Sequence, residues 1–286
     1  MTKIGPQVDI HIELDSRIIC REDFAQLVLS WISATGKLLG LDPERPPAGG
    51  MLPFAVPALP SGFWPFGEPT ALAAGIYVQL LPQRRPGRGA RCATGSWRKL
   101  SDSLREENPY QVSLHLTPVR GSGALAGRGK PAVLSVTREP AAPEWVRFEA
   151  HLPEGIVAWR GTAGGEAAWL QFIRDWVSGV PTSYGHIASD ANSFSTSHEA
   201  SAGRKAWDTV PYCEERLRGW SWVTVCASRL TEKLGGLETL AASGAFVEVT
   251  AVAGGSLFLR ATETMEEYDK TSAAKVFSAL VPVLFG

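Results

Sequence analysis

Hydrophobic periodicity near the N-terminus constrains the fold most strongly, because it changes from a period of two to a helical period within a short stretch. Residues 8–15 alternate between apolar and polar side chains, as in a strand with one buried face. From 24 to 39 the apolar residues recur at helical spacing, and Gly40 and Pro43 follow as helix-ending residues. The chain therefore opens with a predicted strand and a predicted amphipathic helix.

The rest of the sequence continues this mixture of periodicities. Alternating segments predict strands at 76–80, 110–116, 132–137, 145–152, 184–189, 246–251 and 257–259, and helical spacing predicts helices at 97–104, 169–180, 222–234 and 264–284. Residues 191–202 are Ser-rich and predict a loop, and Gly254 and Gly255 predict the turn of a hairpin. Thr264 and Glu267 have the spacing of a capping box. This element order predicts an α+β fold, a mostly antiparallel sheet with helices packed on one face.

The length of 286 residues allows one large domain or two small ones. Apolar residues make up 44% and charged residues 20%, which is ordinary globular usage. We expect residues 1–286 to form a single compact unit. Because strands and helices recur in both parts, an alternative is two similar halves, about 1–107 and 108–286, that share one core.

The charge balance and the cysteines limit the partners and the compartment. The net charge is -1, so the whole chain lacks the basic character of a nucleic-acid-binding protein. Met1 to Asp15 has no apolar segment after a basic start, and no apolar run is long enough to span a bilayer. The four cysteines are scattered and none forms a CxxC pair. We therefore expect a cytoplasmic protein with reduced thiols and no membrane contact.

A search for chemical motifs leaves few candidates. No histidine pair has HxxxH or HxH spacing, so the sequence predicts no metal site, and no cofactor motif is present. His186 with Asp190 is the most enzyme-like pair, since a carboxylate can orient an imidazole. Asp9, Glu13 and Asp15 share one strand face, which suits either a solvated surface or a row of metal-binding carboxylates. We predict no catalytic residue and no enzyme activity.

Two segments are candidates for contact with a protein partner. The acidic group consists of Glu263, Glu266, Glu267 and Asp269; it can serve a helix N-terminus, steer a basic partner, or do both. The second candidate lies in the Pro-rich segment 43–69, whose aromatic residues include Phe63, Trp64 and Phe66. Prolines forbid regular structure there, so the segment is either a loop packed onto the body of the protein or a partner-binding loop.

The last hundred residues, mainly 180–286, resemble the immunity proteins of bacterial polymorphic-toxin and type VI secretion systems. The resemblance rests on the residues Tyr184-Gly185-His186, Trp220-Ser221-Trp222-Val223-Thr224, Leu230 with Lys233-Leu234-Gly235-Gly236-Leu237, the hairpin at Gly254-Gly255, Tyr268 and the tail Ala279 to Pro282. It implies a cytosolic protein that neutralises a cognate toxin by binding and occluding it. It carries over no individual functional residue.

Two other functions stay open beside this one. The chain could be a structural or regulatory subunit that self-assembles through residues 63–66. It could also be an enzyme of another type that uses His186 and a carboxylate from elsewhere in the chain. The oligomeric state and the identity of the partner do not follow from the sequence.

Overall fold

The structure, a computed structural model, describes most of the chain with several gaps. The described residues are 9–18, 21–39, 63–66, 72–80, 90–91, 101, 104–105, 109–118, 132–139, 141–153, 165–189 and 195–286. Only the backbone is described for 21–22, 63–66, 72–80, 90–91, 110 and 115–118. The Pro-rich segment apart from 63–66, and most of the predicted helix at 97–104, lie outside the described residues.

A sheet in which every neighbouring pair is antiparallel forms the centre of the described fold. Its eleven strands are β1 (Ile10–Arg17), β2 (Phe63–Phe66), β3 (Leu72–Leu80), β4 (Ala90–Arg91), β5 (Pro109–Pro118), β6 (Ala132–Glu139), β7 (Ala142–Leu152), β8 (Tyr184–Ala188), β9 (Val223–Cys226), β10 (Glu248–Ala251) and β11 (Leu257–Arg260). The spatial order is β10-β11-β9-β8-β1-β7-β6-β5-β3-β2, and β4 pairs with β3. The first strand thus lies in the middle, between β8 and β7.

Helices of two size classes accompany the sheet. The long ones are α1 (Arg21–Leu38), α2 (Gly165–Gly179) and α7 (Lys270–Leu280). The short ones are α3 (Ser197–Ser201), α4 (Ala206–Thr209), α5 (Ser228–Lys233) and α6 (Gly236–Ala242). Short 3-10 turns lie at Val210–Tyr212, Ala253–Gly255, Met265–Glu267 and Val281–Val283. No helix in the described part of the chain combines the length and the apolarity needed to cross a membrane.

Aromatic side chains join α1 and α2 to one face of the sheet. The ring of Trp31 on α1 lies 5.5 Å from Phe148 on β7 and 5.0 Å from Trp176 on α2, and Phe148 lies 5.1 Å from Trp176. Offset and edge-to-face contacts at such distances add to the gain from burying the rings. The Trp31 indole nitrogen also donates to the Glu149 carbonyl at 3.2 Å. This face is the apolar core, with Leu14 and Ile12 of β1 fully buried.

The predicted α+β class and the predominance of antiparallel strands are confirmed. The hairpin at Gly254 and Gly255 is also confirmed, since β10 and β11 pair antiparallel on either side of it. One continuous sheet runs through the described residues, and the division into two similar halves stays a prediction. Cys213 and Cys226 are buried free thiols, as expected for reduced cysteines.

Four local predictions differ from the structure. The prediction that prolines forbid regular structure in the segment 43–69 is wrong for 63–66, which form strand β2 paired with β3. The predicted helix at 222–234 is wrong in its first part, because Val223–Cys226 form a strand between β8 and β11 and only Ser228–Lys233 are helical. The predicted loop at 191–202 contains the short helix α3. The capping box of Thr264 and Glu267 closes a 3-10 turn, whereas Asp269 caps α7 by accepting from the Ser272 amide at 2.8 Å.

Candidate functional site

The side of β1 opposite the aromatic core carries polar residues that are buried. Alternation places His11, Glu13 and Asp15 on this face, and their exposures are 1%, 0% and 0%. The expectation of a solvated carboxylate face is therefore wrong for Glu13 and Asp15. Asp9, the third member of the predicted row, lies farther out, where its carboxylate is 3.6 Å from His151.

Arg218 covers these carboxylates from the C-terminal part of the chain. Its guanidinium contacts Glu13 and Asp15 through Nη1, and its Nε lies 2.8 Å from Glu199 Oε1 on α3. A second bond joins Nη2 to Glu199 Oε2 at 3.1 Å, so the Arg–Glu199 pair is bidentate. Thr209 on α4 donates to the same Glu199 carboxylate. All five side chains are fully buried.

The helix start at α3 fixes Glu199 in this position. Thr196 and Glu199 form a capping box: the Thr196 amide donates to Glu199 Oε2 at 2.6 Å, and the Glu199 amide donates to Thr196 Oγ1 at 3.1 Å. The Thr196 hydroxyl also donates to the Arg218 carbonyl at 2.9 Å. Gly219 permits this close approach, since a Cβ there would lie 2.8 Å from the Thr196 side chain. One carboxylate thus caps a helix and binds the buried guanidinium.

Arg147 on β7 supplies the second cation of the network. Its Nε lies 3.2 Å from Glu13 Oε1 and 3.4 Å from Asp15 Oδ1, and its Nη1 lies 4.0 Å from Glu149 Oε1. Glu149 Oε2 accepts from the Ser135 hydroxyl at 3.1 Å. Charges buried this deeply are tolerated only when they are paired, and each carboxylate of this network contacts at least one of the two guanidinium groups.

Burial and the guanidinium groups act in opposite directions on the two carboxyls of β1. Burial favours the neutral form of Glu13, but Arg218 and Arg147 outweigh it and hold the pKa of Glu13 well below its usual range. Burial raises the pKa of Asp15 to about 7, because the attraction of Arg218 does not offset desolvation and the nearby Glu13 charge. The negative charge is therefore concentrated on Glu13.

A pair of imidazoles adjoins this network. His186 Nε2 lies 3.2 Å from His11 Nδ1, and the other ring nitrogen of His186 lies 2.9 Å from the Tyr184 hydroxyl. His186 is 2% exposed, and the pocket described below does not include it among its described lining residues. Asp190, the carboxylate considered as its partner from the sequence, lies outside the described residues. The structure brings His186 together with His11 and Glu13 instead.

A pocket of about 460 Å³ opens on the same polar face of the sheet, beside the network. Its described lining comes from β5, β6, β7 and the segment around α4, and consists of Gln111, Thr137, Glu139, Ala141, Trp145, Arg147, Glu149, Ala206, Trp207 and Val210. Trp207 is 56% exposed at this pocket. Burial raises the pKa of Glu139 despite the attraction of Arg147. The pocket therefore combines tryptophan side chains with two carboxylates.

The acidic group predicted from the sequence is exposed and lies in and around the Met265–Glu267 turn. Glu263 pairs with Arg260 at 2.8 Å, Glu267 accepts from the Thr264 amide at 3.2 Å, and Asp269 caps α7. Hydrogen bonding to the Ser272 amide lowers the pKa of Asp269. The role of this acidic group, including Glu266, in binding a partner stays a prediction.

The aromatic candidates Phe63, Trp64 and Phe66 form strand β2, paired with β3. The structure describes their backbone only, so their contact with a partner stays a prediction. The pocket residues Trp207 and Glu139 and the network residue Arg218 were missed by sequence reasoning. Trp207 carried a weak signal as one of ten tryptophans, whereas Arg218 lies in no motif.

Neither a protein-family model nor a curated protein sequence matches the chain. Among solved structures, a type VI secretion system (T6SS) protein of Pseudomonas aeruginosa is similar, with a TM-score of 0.56 and 11% sequence identity. The similarity covers 99% of this chain and 77% of that protein. At this level of identity the likeness concerns the fold alone.

Proposed function

We propose that this chain is a cytoplasmic immunity-type protein that binds a cognate T6SS toxin and occludes it. The observation that carries the proposal is the fold shared with a T6SS protein over 99% of this chain. The sequence resemblance of residues 180–286 to immunity proteins points the same way and rests on different data. In this proposal the chain acts by its surface and carries out no catalytic step.

The pocket and its rim are the proposed contact surface for the toxin. Trp207 is 56% exposed there, and exposed tryptophans are enriched among the residues that dominate binding energy at interfaces. Glu139 and Glu149 line the pocket, and Arg147 is already paired with Glu13 and Asp15. A Lys or Arg side chain of the toxin would meet carboxylates beside tryptophan rings, an arrangement that favours a cation.

The buried network supports this surface from beneath. Arg147 is both a network member and a pocket residue, and Thr209, at the end of α4, contacts Glu199 and Arg218. The two walls of the pocket, β7 and the α4 segment, are therefore joined through buried charge-assisted bonds. Because these walls are already fixed, they lose little conformational entropy when a partner binds, which favours tight association.

The first experiment is co-expression of the chain with the protein encoded by the neighbouring gene. We expect the two proteins to co-purify one to one, and the chain to rescue cells from that protein's toxicity. Absence of both co-purification and rescue would contradict the proposed function. The Kd of the purified pair, measured by titration calorimetry, gives the reference for the surface variants.

Variants then locate the contact. We expect Trp207→Ala to weaken binding at least tenfold, and Glu139→Gln to weaken it about three- to tenfold, as for an anchor and a charged neighbour. The control is Leu237→Ala, since Leu237 is 39% exposed on α6, which packs on β10 at the far end of the sheet. Unchanged binding in both pocket variants would exclude the pocket as the contact. Loss of rescue on charge reversal of Glu266 and Glu267 would then place the contact at the acidic group.

A further inference from the structure

Three buried side chains next to the network combine ligand types that bind transition metals. His11, Glu13 and His186 can each place one donor atom so that all three atoms lie within 4.8 Å of one another. Their exposures are 1%, 0% and 2%. His11 and Glu13 come from β1, and His186 is paired opposite Glu13 on β8, so two hydrogen-bonded strands hold the group in place.

The separation of the two imidazoles fits a shared ion. His186 Nε2 lies 3.2 Å from His11 Nδ1. Two nitrogens bound to one tetrahedral Zn²⁺ at 2.0–2.1 Å are about 3.3 Å apart, so the separation of these two ring nitrogens matches that of ligands to one ion. The Tyr184 hydroxyl lies 2.9 Å from His186 Nδ1, leaving Nε2 directed at His11. Such an outer hydrogen bond orients metal-binding histidines and fixes their tautomer.

The carboxylate of Glu13 provides the second, independent observation. Its Oε1 atom contacts both Arg218 and Arg147, whereas its Oε2 atom is buried without a hydrogen-bond partner. That orphaned oxygen lies 3.9 Å from His11 Nε2, and one donor atom from each of the three residues lies within 4.8 Å of the other two. A buried anionic oxygen without a partner is costly, and a bound cation would satisfy it. One oxygen of Glu13 thus serves the guanidinium groups and the other points towards the histidines.

The surrounding charges can accept a divalent cation. The network contains four carboxylates, those of Glu13, Asp15, Glu149 and Glu199, and two guanidinium groups, those of Arg147 and Arg218. A divalent ion therefore enters a group in which carboxylates outnumber the fixed cations. Nitrogen and carboxylate ligands together favour Zn²⁺ and its first-row neighbours over Ca²⁺ and Mg²⁺.

We propose that His11, Glu13 and His186 form a buried structural site for one divalent transition-metal ion of the zinc type. The ion cross-links the central strand β1 to β8 and bonds the unpartnered oxygen of Glu13. Because the three ligands are at most 2% exposed, the ion stabilises the fold and takes no part in contact with a toxin. The site is independent of the proposed function, and its tests need no partner protein.

The first tests use the full chain and the metal alone. After chelation and dialysis, we expect the chain to take up about one Zn²⁺, measured by elemental analysis, and Co²⁺ to give the visible absorption bands of a low-symmetry site with nitrogen and oxygen ligands. Zn²⁺ at about 100 times its Kd should raise the Tm by a few degrees, because the ion binds the folded chain. Less than about 0.1 equivalent bound, with an unchanged Tm, would overturn the site, and these readouts require no variant to fold.

Variants assign the ligands. His11→Gln and His186→Gln should each lower the affinity for Co²⁺ at least tenfold and abolish its absorption bands, while circular dichroism verifies folding. The matched control is His151→Gln, since His151 lies directly opposite His11 on β7 and is outside the group. Wild-type affinity in both ligand variants, or loss of binding in the control alone, would refute the assignment.

Discussion

Replacing Arg218 with methionine is the sharpest test of the buried network. Methionine keeps much of the side-chain volume, so the change removes the charge and its hydrogen bonds more than the packing. Arg218 is fully buried, and its guanidinium bonds Glu13, Asp15 and Glu199. Removing one partner from a buried ion pair costs about 3–5 kcal/mol, because the opposite charge stays buried and uncompensated.

That cost is large against the total stability of about 5–15 kcal/mol that is usual for a folded domain. With an m-value of about 3 kcal/mol/M in urea, the unfolding midpoint should fall by about 1–1.7 M. The assay is urea unfolding followed by tryptophan fluorescence and circular dichroism. The matched control is Arg216→Met, since Arg216 is exposed two residues away and should shift stability by no more than about 0.5 kcal/mol.

A second substitution separates the electrostatic cause from lost packing. If the uncompensated carboxylates cause the loss, adding Glu199→Gln to Arg218→Met should recover about 1–2 kcal/mol, because one buried charge is removed. Lost packing alone would make the double variant no more stable than Arg218→Met. A loss below about 1 kcal/mol for Arg218→Met would refute the argument that this guanidinium compensates the buried carboxylates.

Two further predictions concern other parts of the sheet. Gly185→Ala should lower the free energy of unfolding by about 1–3 kcal/mol, because the added Cβ would lie 2.5 Å from Leu14 Cδ2. The measurement is a lower urea midpoint at constant m-value. An unchanged midpoint would contradict this packing. Glu248 joins α2 to β11 through Arg174 at 2.9 Å and Arg260 at 2.9 Å, and Glu248→Gln should cost about 1 kcal/mol at pH 7. Although partial burial opposes it, hydrogen bonding to these two arginines lowers the pKa of Glu248 in the folded chain. Its contribution is therefore fully present above the ordinary glutamate pKa and is lost as the pH falls through the lowered pKa of the folded chain. Unfolding at pH 7 and at about pH 3 should show a larger difference between wild type and variant at the higher pH, and an equal difference at both would contradict the assignment.

Local periodicity was sufficient to predict the elements whose pattern is regular. The alternation at 8–15 gave β1, and helical spacing at 24–39 gave α1, since each pattern reflects one buried face. Residues 222–234 show the limit of this reasoning. Their apolar side chains fit helical spacing, but Val223–Cys226 occupy the position between β8 and β11, and pairing with both neighbours overrides the local pattern.

The candidate site was predictable only in part, because it too depends on contacts between distant parts of the chain. The alternation of apolar and polar residues correctly placed Glu13 and Asp15 on one face of β1, but it does not predict which residues pack against that face. The cover is Arg218 with Glu199, about two hundred residues farther along the chain. Contacts at that separation depend on the tertiary fold, so neither the burial of the carboxylates nor the meeting of His11 with His186 follows from spacing.

Substitutions in the buried network and substitutions at the pocket rim should affect different properties of this chain. Glu13, Asp15 and Arg218 are fully buried, so substitutions there act through the stability of the fold. Trp207 is more than half exposed, and Glu139 lines the pocket at the surface. Substitutions at these two positions change the proposed contact surface while the buried charges stay paired. Arg147 and Glu149 belong to both the network and the pocket, so substitutions there should change stability and the pocket surface together.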